Sequence, residues 1–144
     1  MIEQDTIKLL RETDAGIKMG IASIDDVLDN VSSENFRQLL SKCKADHETL
    51  QTDIQVLLEK HHDDGKNPNP IAKSMSWMKT NMKLTMDGSD ATIAELMTDG
   101  CNMGVKSLNR YLNQYEAADE TSKDIAKRLI RLEEKLAIDI REYL

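Results

Sequence analysis

Residues 16–28, GIKMGIASIDDVL, align without a gap on residues 100–112, GCNMGVKSLNRYL, with Gly, Met, Gly, Ser and Leu identical at five of thirteen positions. Ile21/Val105 and Ile24/Leu108 are conservative matches in the same window. A chain that repeats itself at an offset of 84 is built from two copies of one unit. Both copies space their apolar residues by three and four, the period of a helix with one buried face.

In the first copy the stripe runs Ile7, Leu10, Ile17, Ile21, Ile24, Leu28 and Val31, and its one gap is Asp14. Ser32-Ser33 then supplies a helix cap, with Glu34 favourable against the N-terminal dipole. A second stripe follows as Phe36, Leu40, Cys43, His47, Leu50, Ile54 and Leu57, ending near His61. So short a connection folds the two helices back as an antiparallel hairpin. The second copy starts at Ser89 or Asp90 and carries Ala94, Met97, Cys101, Gly104 or Val105, Leu108, Tyr111 or Leu112, and Tyr115. After an acidic turn near Ala117 to Thr121, its partner helix shows Ile125, Leu129, Leu132, Leu136, Ile140 and Tyr143. No segment alternates in the manner of a strand, so the fold is all-α.

Between the copies, Asp63 to Pro70 has turn chemistry, and Asn69-Pro70 is an N-cap followed by a first helical residue. A shorter helix is predicted there, with Ile71, Met75, Met78, Met82 and Met86 on one face and Trp77 beside it, ending at Asp87-Gly88. Two hairpins joined by a long crossover, residues 62–90, is the topology of ferritin-like four-helix bundles. At 144 residues the chain is one domain, 1–144.

The charge balance narrows the partners. With 19 basic and 26 acidic residues the net charge is −7, which disfavours nucleic acid and anionic lipid surfaces. No apolar run approaches the roughly 20 residues that span a bilayer. The acidic start, Met1-Ile-Glu-Gln-Asp, lacks the features of a secretory signal, and two Cys make no disulfide framework, so a cytoplasmic protein with reduced thiols is expected.

The order of several short motifs resembles the ferritin-like superfamily, and within it a group of small bacterial proteins defined only as a domain of unknown function. The motifs are Asp14-Ala15-Gly16, Trp77-Met78-Lys79, Asp87-Gly88-Ser89-Asp90, and Asp99-Gly100 followed by Tyr111; together they cover nearly the whole chain. The resemblance implies a bundle whose enzymes hold two metals through a Glu from each of two helices and a Glu-x-x-His motif from each of the other two. Here the one bundle histidine, His47, is preceded at i−3 by Lys44, and the last helix has no His. An intact di-iron centre is therefore not expected.

Four polar residues remain on the apolar stripes: Asp14, Cys43, His47 and Cys101. Turning the first hairpin at Ser32 places His47 opposite Ile17 to Lys18, one turn from Asp14, and the repeat sets Cys101 level with Ile17. Asp14, His47 and Cys101 are thus a candidate mononuclear Fe or Zn site, or hold a Cys activated by His, against a metal-free reading in which Asp14 and His47 share a buried hydrogen bond and Cys43 and Cys101 act as small hydrophobes. His61-His62-Asp63-Asp64 reads as a solvated helix end. The Met75, Met78 and Met82 face is either a cover for the bundle or a partner-binding surface. Gly16-x-x-x-Gly20 and Gly100-x-x-x-Gly104 predict a close helix crossing, inside the bundle or in a homo-oligomer. The expectation is a non-catalytic binding or structural protein that self-associates; the alternative is a metal-binding or redox protein.

Overall fold

The computed structural model describes residues 2–66 and 88–144, and all their regular structure is helical. The helices are α1 (Ile2–Leu28), α2 (Glu34–Lys60), α3 (Asp90–Gln114) and α4 (Glu120–Asp139), the last continued by a 3₁₀ turn, Ile140–Tyr143. The crossover helix expected after Asn69-Pro70, with its Met75, Met78 and Met82 face, lies outside the described residues.

Each helix start is fixed by the residue type the sequence supplies there. The Ser33 hydroxyl accepts the Phe36 N–H at 3.2 Å, Ser89 accepts that of Thr92 at 3.3 Å, and the Asp119 carboxylate accepts that of Ser122 at 2.8 Å. A cap of this kind contributes about 1 kcal/mol. The connections are then tied to neighbouring helices. The Asp90 carboxylate accepts the backbone N–H groups of Ser32 at 2.8 Å and Ser33 at 2.9 Å, joining the start of α3 to the α1–α2 turn. At the opposite end Asp5 accepts the Ala117 N–H at 3.1 Å, and the Thr6 hydroxyl accepts that of Asp119 at 2.9 Å. Along the helices, Lys44 meets Asp25 at 2.6 Å and Arg128 meets Asp53 at 2.9 Å.

Packing divides the core into two main apolar clusters. One gathers Ile24, Phe36, Leu40, Ile93 and Ile140 around the α1–α2 turn, closed by Tyr143 stacked on Phe36 at 4.4 Å. The other gathers Ile17, Leu50, Ile54, Leu108 and Leu129. Between them each helix passes through one more turn, and the inward residues there are not apolar. Gly20 falls between Ile17 and Ile24, His47 between Cys43 and Leu50, Gly104 between Cys101 and Leu108, and Glu133 between Leu129 and Leu136. The middle of the bundle is therefore a layer of two glycines and two ionisable side chains. Among the described residues no helix is long and apolar enough to cross a membrane.

Candidate functional site

His47 occupies an inward position of α2 and is only 2% exposed. Its Nδ1 lies 2.8 Å from the Cys43 carbonyl oxygen one turn earlier. A carbonyl only accepts, so Nδ1 carries the hydrogen and donates it, and Nε2 keeps its lone pair. Nε2 has no hydrogen-bond partner among the described residues. Burial lowers the pKa of the ring, opposed by the bond to Cys43 and the charge of Asp46, so imidazole is neutral at pH 7. The ring fits only because residue 20 has no side chain, since a Cβ there would stand 2.6 Å from Nε2.

Glu133 repeats this arrangement on α4. It is 8% exposed, and burial pushes its carboxyl up to about 8, so the side chain is a neutral acid at pH 7. Its Oε2 also lacks a partner among the described residues. Gly104 makes the room, for a Cβ there would lie 2.8 Å from Glu133 Cδ and overlap Oε2. The two sites correspond residue by residue. Caps Ser33 and Asp119 stand 86 positions apart, as do His47 and Glu133. The flanking pairs Leu40/Ala126, Cys43/Leu129, Leu50/Leu136 and Ile54/Ile140 share that spacing, and all are buried.

Over this layer, between α1 and α3, opens a cleft of about 600 Å³, within the range of small-molecule sites. Gly16, Gly20, Gly100 and Gly104 lie along its walls, with Met19, Met97 and Met103 as apolar lining and His47 and Glu133 beneath. Three of the four glycines expected to mark a close crossing meet side chains of this chain. Gly16 packs on Leu129, and Gly20 and Gly104 receive His47 and Glu133. Lys66 and Glu12 also border the cleft, joined by an ion pair of 2.5 Å.

The three-residue metal site expected at Asp14, His47 and Cys101 does not assemble. His47 and Cys101 line the same cleft, but Asp14 is not part of it. The reason is register: His47 faces Gly20, not Ile17 or Lys18, and six residues of helix set Gly20 about 9 Å beyond Asp14. Asp14 is instead fully buried beside Lys18 Nζ at 2.7 Å and accepts the Lys66 backbone N–H at 3.0 Å. Among the described residues no three His, Cys, Asp or Glu side chains are grouped to hold a metal ion. The two metals implied by the ferritin-like resemblance do not fit either. The middle layer offers one imidazole and one carboxyl, and glycine on the two helices that should each supply a glutamate.

The free thiols are inert by environment. Burial pushes the Cys43 thiol up to about 12, helped by Asp46 and Glu133, and raises Cys101 further for the same first reason. His61 is the C-cap of α2, and His62 lies beyond it with Asp63 turned to Arg11 at 3.4 Å, so these residues form a helix end and not a metal shell.

Glu133 was not among the residues singled out by sequence. Its signal was nevertheless present: Leu129, Glu133 and Leu136 share an inward-facing spacing, and Glu133 follows its cap Asp119 by the same 14 residues as His47 follows Ser33. Compared with known proteins, the chain matches no family model, no curated protein and no solved structure.

Proposed function

We propose that the chain is a non-catalytic, ferritin-like bundle of two antiparallel hairpins that binds a small molecule in the cleft between α1 and α3. The observation that carries this reading is the pair of buried polar side chains, His47 and Glu133, each with an unpartnered atom, beneath an apolar cleft of about 600 Å³. A buried polar atom without a partner costs roughly 1–3 kcal/mol, a cost a bound ligand removes. The correspondence of Gly20 with Gly104 and of His47 with Glu133 supports the duplicated hairpin. The ion pair of Asp25 with Lys44, and the approach of Arg11 to Asp63, support the antiparallel order of α1 and α2. A thiol or single-metal site has less behind it, because Asp14 is engaged by Lys18 and burial holds both cysteines as thiols.

The test is a titration of the full chain with an apolar fluorescent dye, beside a Ser107→Trp variant whose indole fills the cleft. The parent is expected to bind the dye at one site and the variant to lose it while keeping its circular dichroism. Equal binding by both proteins removes the cleft from consideration. Stoichiometric iron in the purified protein, with oxidation of added Fe²⁺, overturns the non-catalytic part. Sedimentation of the same sample tests the self-association expected from the sequence.

A further inference from the structure

Resting on the reading of the cleft as a binding site, we infer that its ligand is a neutral amphiphile, an apolar body ending in a hydroxyl group. The head group is specified by what His47 and Glu133 offer. The bond from Nδ1–H to the Cys43 carbonyl leaves His47 Nε2 able only to accept. Glu133 is buried between two apolar clusters with no cation bonded to it among the described residues, and the carboxyl that tolerates such a place is the protonated one, a donor as well as an acceptor. A hydroxyl satisfies both groups in kind. Its hydrogen suits Nε2, and its oxygen suits the Glu133 O–H.

Charged heads do not match. An anion would face the lone pair of Nε2, and the one Lys or Arg among the described lining residues, Lys66, is already paired with Glu12. An ammonium would require Glu133 to ionise between the two apolar clusters, and the attraction gained there is offset by desolvating both charges. The body of the ligand is set by the walls. The three methionines form a surface that adapts to a chain of no fixed shape.

The experiment titrates the isotopically labelled full chain with n-octanol, n-octylamine and n-octanoate, following backbone amides by NMR. Octanol is expected to shift the amides of Gly20 and Gly104 and to bind about tenfold more tightly than either charged analogue, the effect of one good hydrogen bond. His47→Phe and Glu133→Leu are each expected to weaken octanol about tenfold, whereas Glu133→Gln, which keeps a donor and an acceptor, stays within about threefold. Octylamine or octanoate binding as tightly as octanol overturns the inference and leaves the cleft as a site. Variants that hold octanol as the parent does have the same consequence. If no probe moves either glycine, the binding site itself is withdrawn. The head-group ranking is measured on the parent protein, so it stands even where a variant fails to fold.

Discussion

His47 Nε2 sits against the bare backbone of Gly20, where a Cβ would be only 2.6 Å away. Gly20→Ala removes a mid-helix glycine, which favours the helix by roughly 1 kcal/mol, but forces a buried ring out of place at about 1–3 kcal/mol. The steric effect wins, and urea unfolding should show a net loss of up to about 2 kcal/mol. The decisive measurement is the double variant with His47→Ala. Once the ring is gone the methyl has space, so the two losses should fall short of adding by more than about 0.5 kcal/mol. Strict additivity would mean that the contact does not limit residue 20.

The two ionisable groups of the middle layer give stability opposite dependences on pH. Glu133 has a folded pKa of about 8 against an ordinary value of 4.5. Between these the unfolded chain is ionised and the folded chain protonated, so the contribution is fully present below 4.5 and falls as pH rises, by about 1.4 kcal/mol per unit, until about 8. His47 is lowered, so it acts the other way: stability is lost as pH falls below the ordinary value of 6.5. Glu133→Gln should abolish the loss on the alkaline side, making the variant more stable than the parent at pH 8 and closest to it near pH 4.5. Chemical unfolding across pH 5–9 reads this directly; parallel curves for parent and variant would place the Glu133 carboxyl in water.

How far the sequence could be read differed between helices and site. The caps at Ser33 and Ser89, and most of the four stripes, follow from local chemistry, because a 3–4 spacing and a side-chain oxygen act within a few residues of themselves. Register is not local. α1 and α2 meet so that Gly20, and not Ile17 or Lys18, faces His47, a shift of two or three residues that no stripe reveals and that separates Asp14 from the site. Asp14 Oδ2 accepts the backbone N–H of Lys66, 52 positions away, a group that every residue but proline carries. Leu58, not Leu57, closes the buried face of α2 for a similar reason, as the last turn follows its packing. Glu133 escaped because a glutamate on a helix reads as a solvated residue. Only the glycine across from it makes its burial possible.

Gly65 meets the same Asp14 at the end of α2. Its φ of +85° lies in the left-handed region, and a Cβ there would overlap the Asp14 carboxylate. Two independent costs therefore apply to Gly65→Ala, and thermal unfolding should show a loss of about 2–3 kcal/mol. Gly65→Asn separates them. Asparagine tolerates a positive φ, so if the backbone alone mattered it would be nearly neutral. Because its Cβ meets the carboxylate too, it should lose most of what alanine loses; recovery to within about 0.5 kcal/mol of the parent would show that Asp14 moves aside.

Cys43 and Cys101 are both buried and both held as thiols, Cys43 with a pKa of about 12. Only thiolate attacks a disulfide reagent, and at pH 8 a thiol of this pKa is ionised at roughly one part in ten thousand. Native protein mixed with an aromatic disulfide should therefore react at least about a hundredfold more slowly than the same protein in denaturant, where both thiols return to ordinary values and titrate fully. The comparison also probes the cleft. Cys101 lines it and Cys43 does not, so filling the cleft with n-octanol should slow Cys101 further, detected as a change in which thiol labels first. Rapid labelling of Cys101 in the untreated fold would require a thiolate in the bundle centre, which is the environment a thiol or metal site needs and the one that burial beside Glu133 opposes.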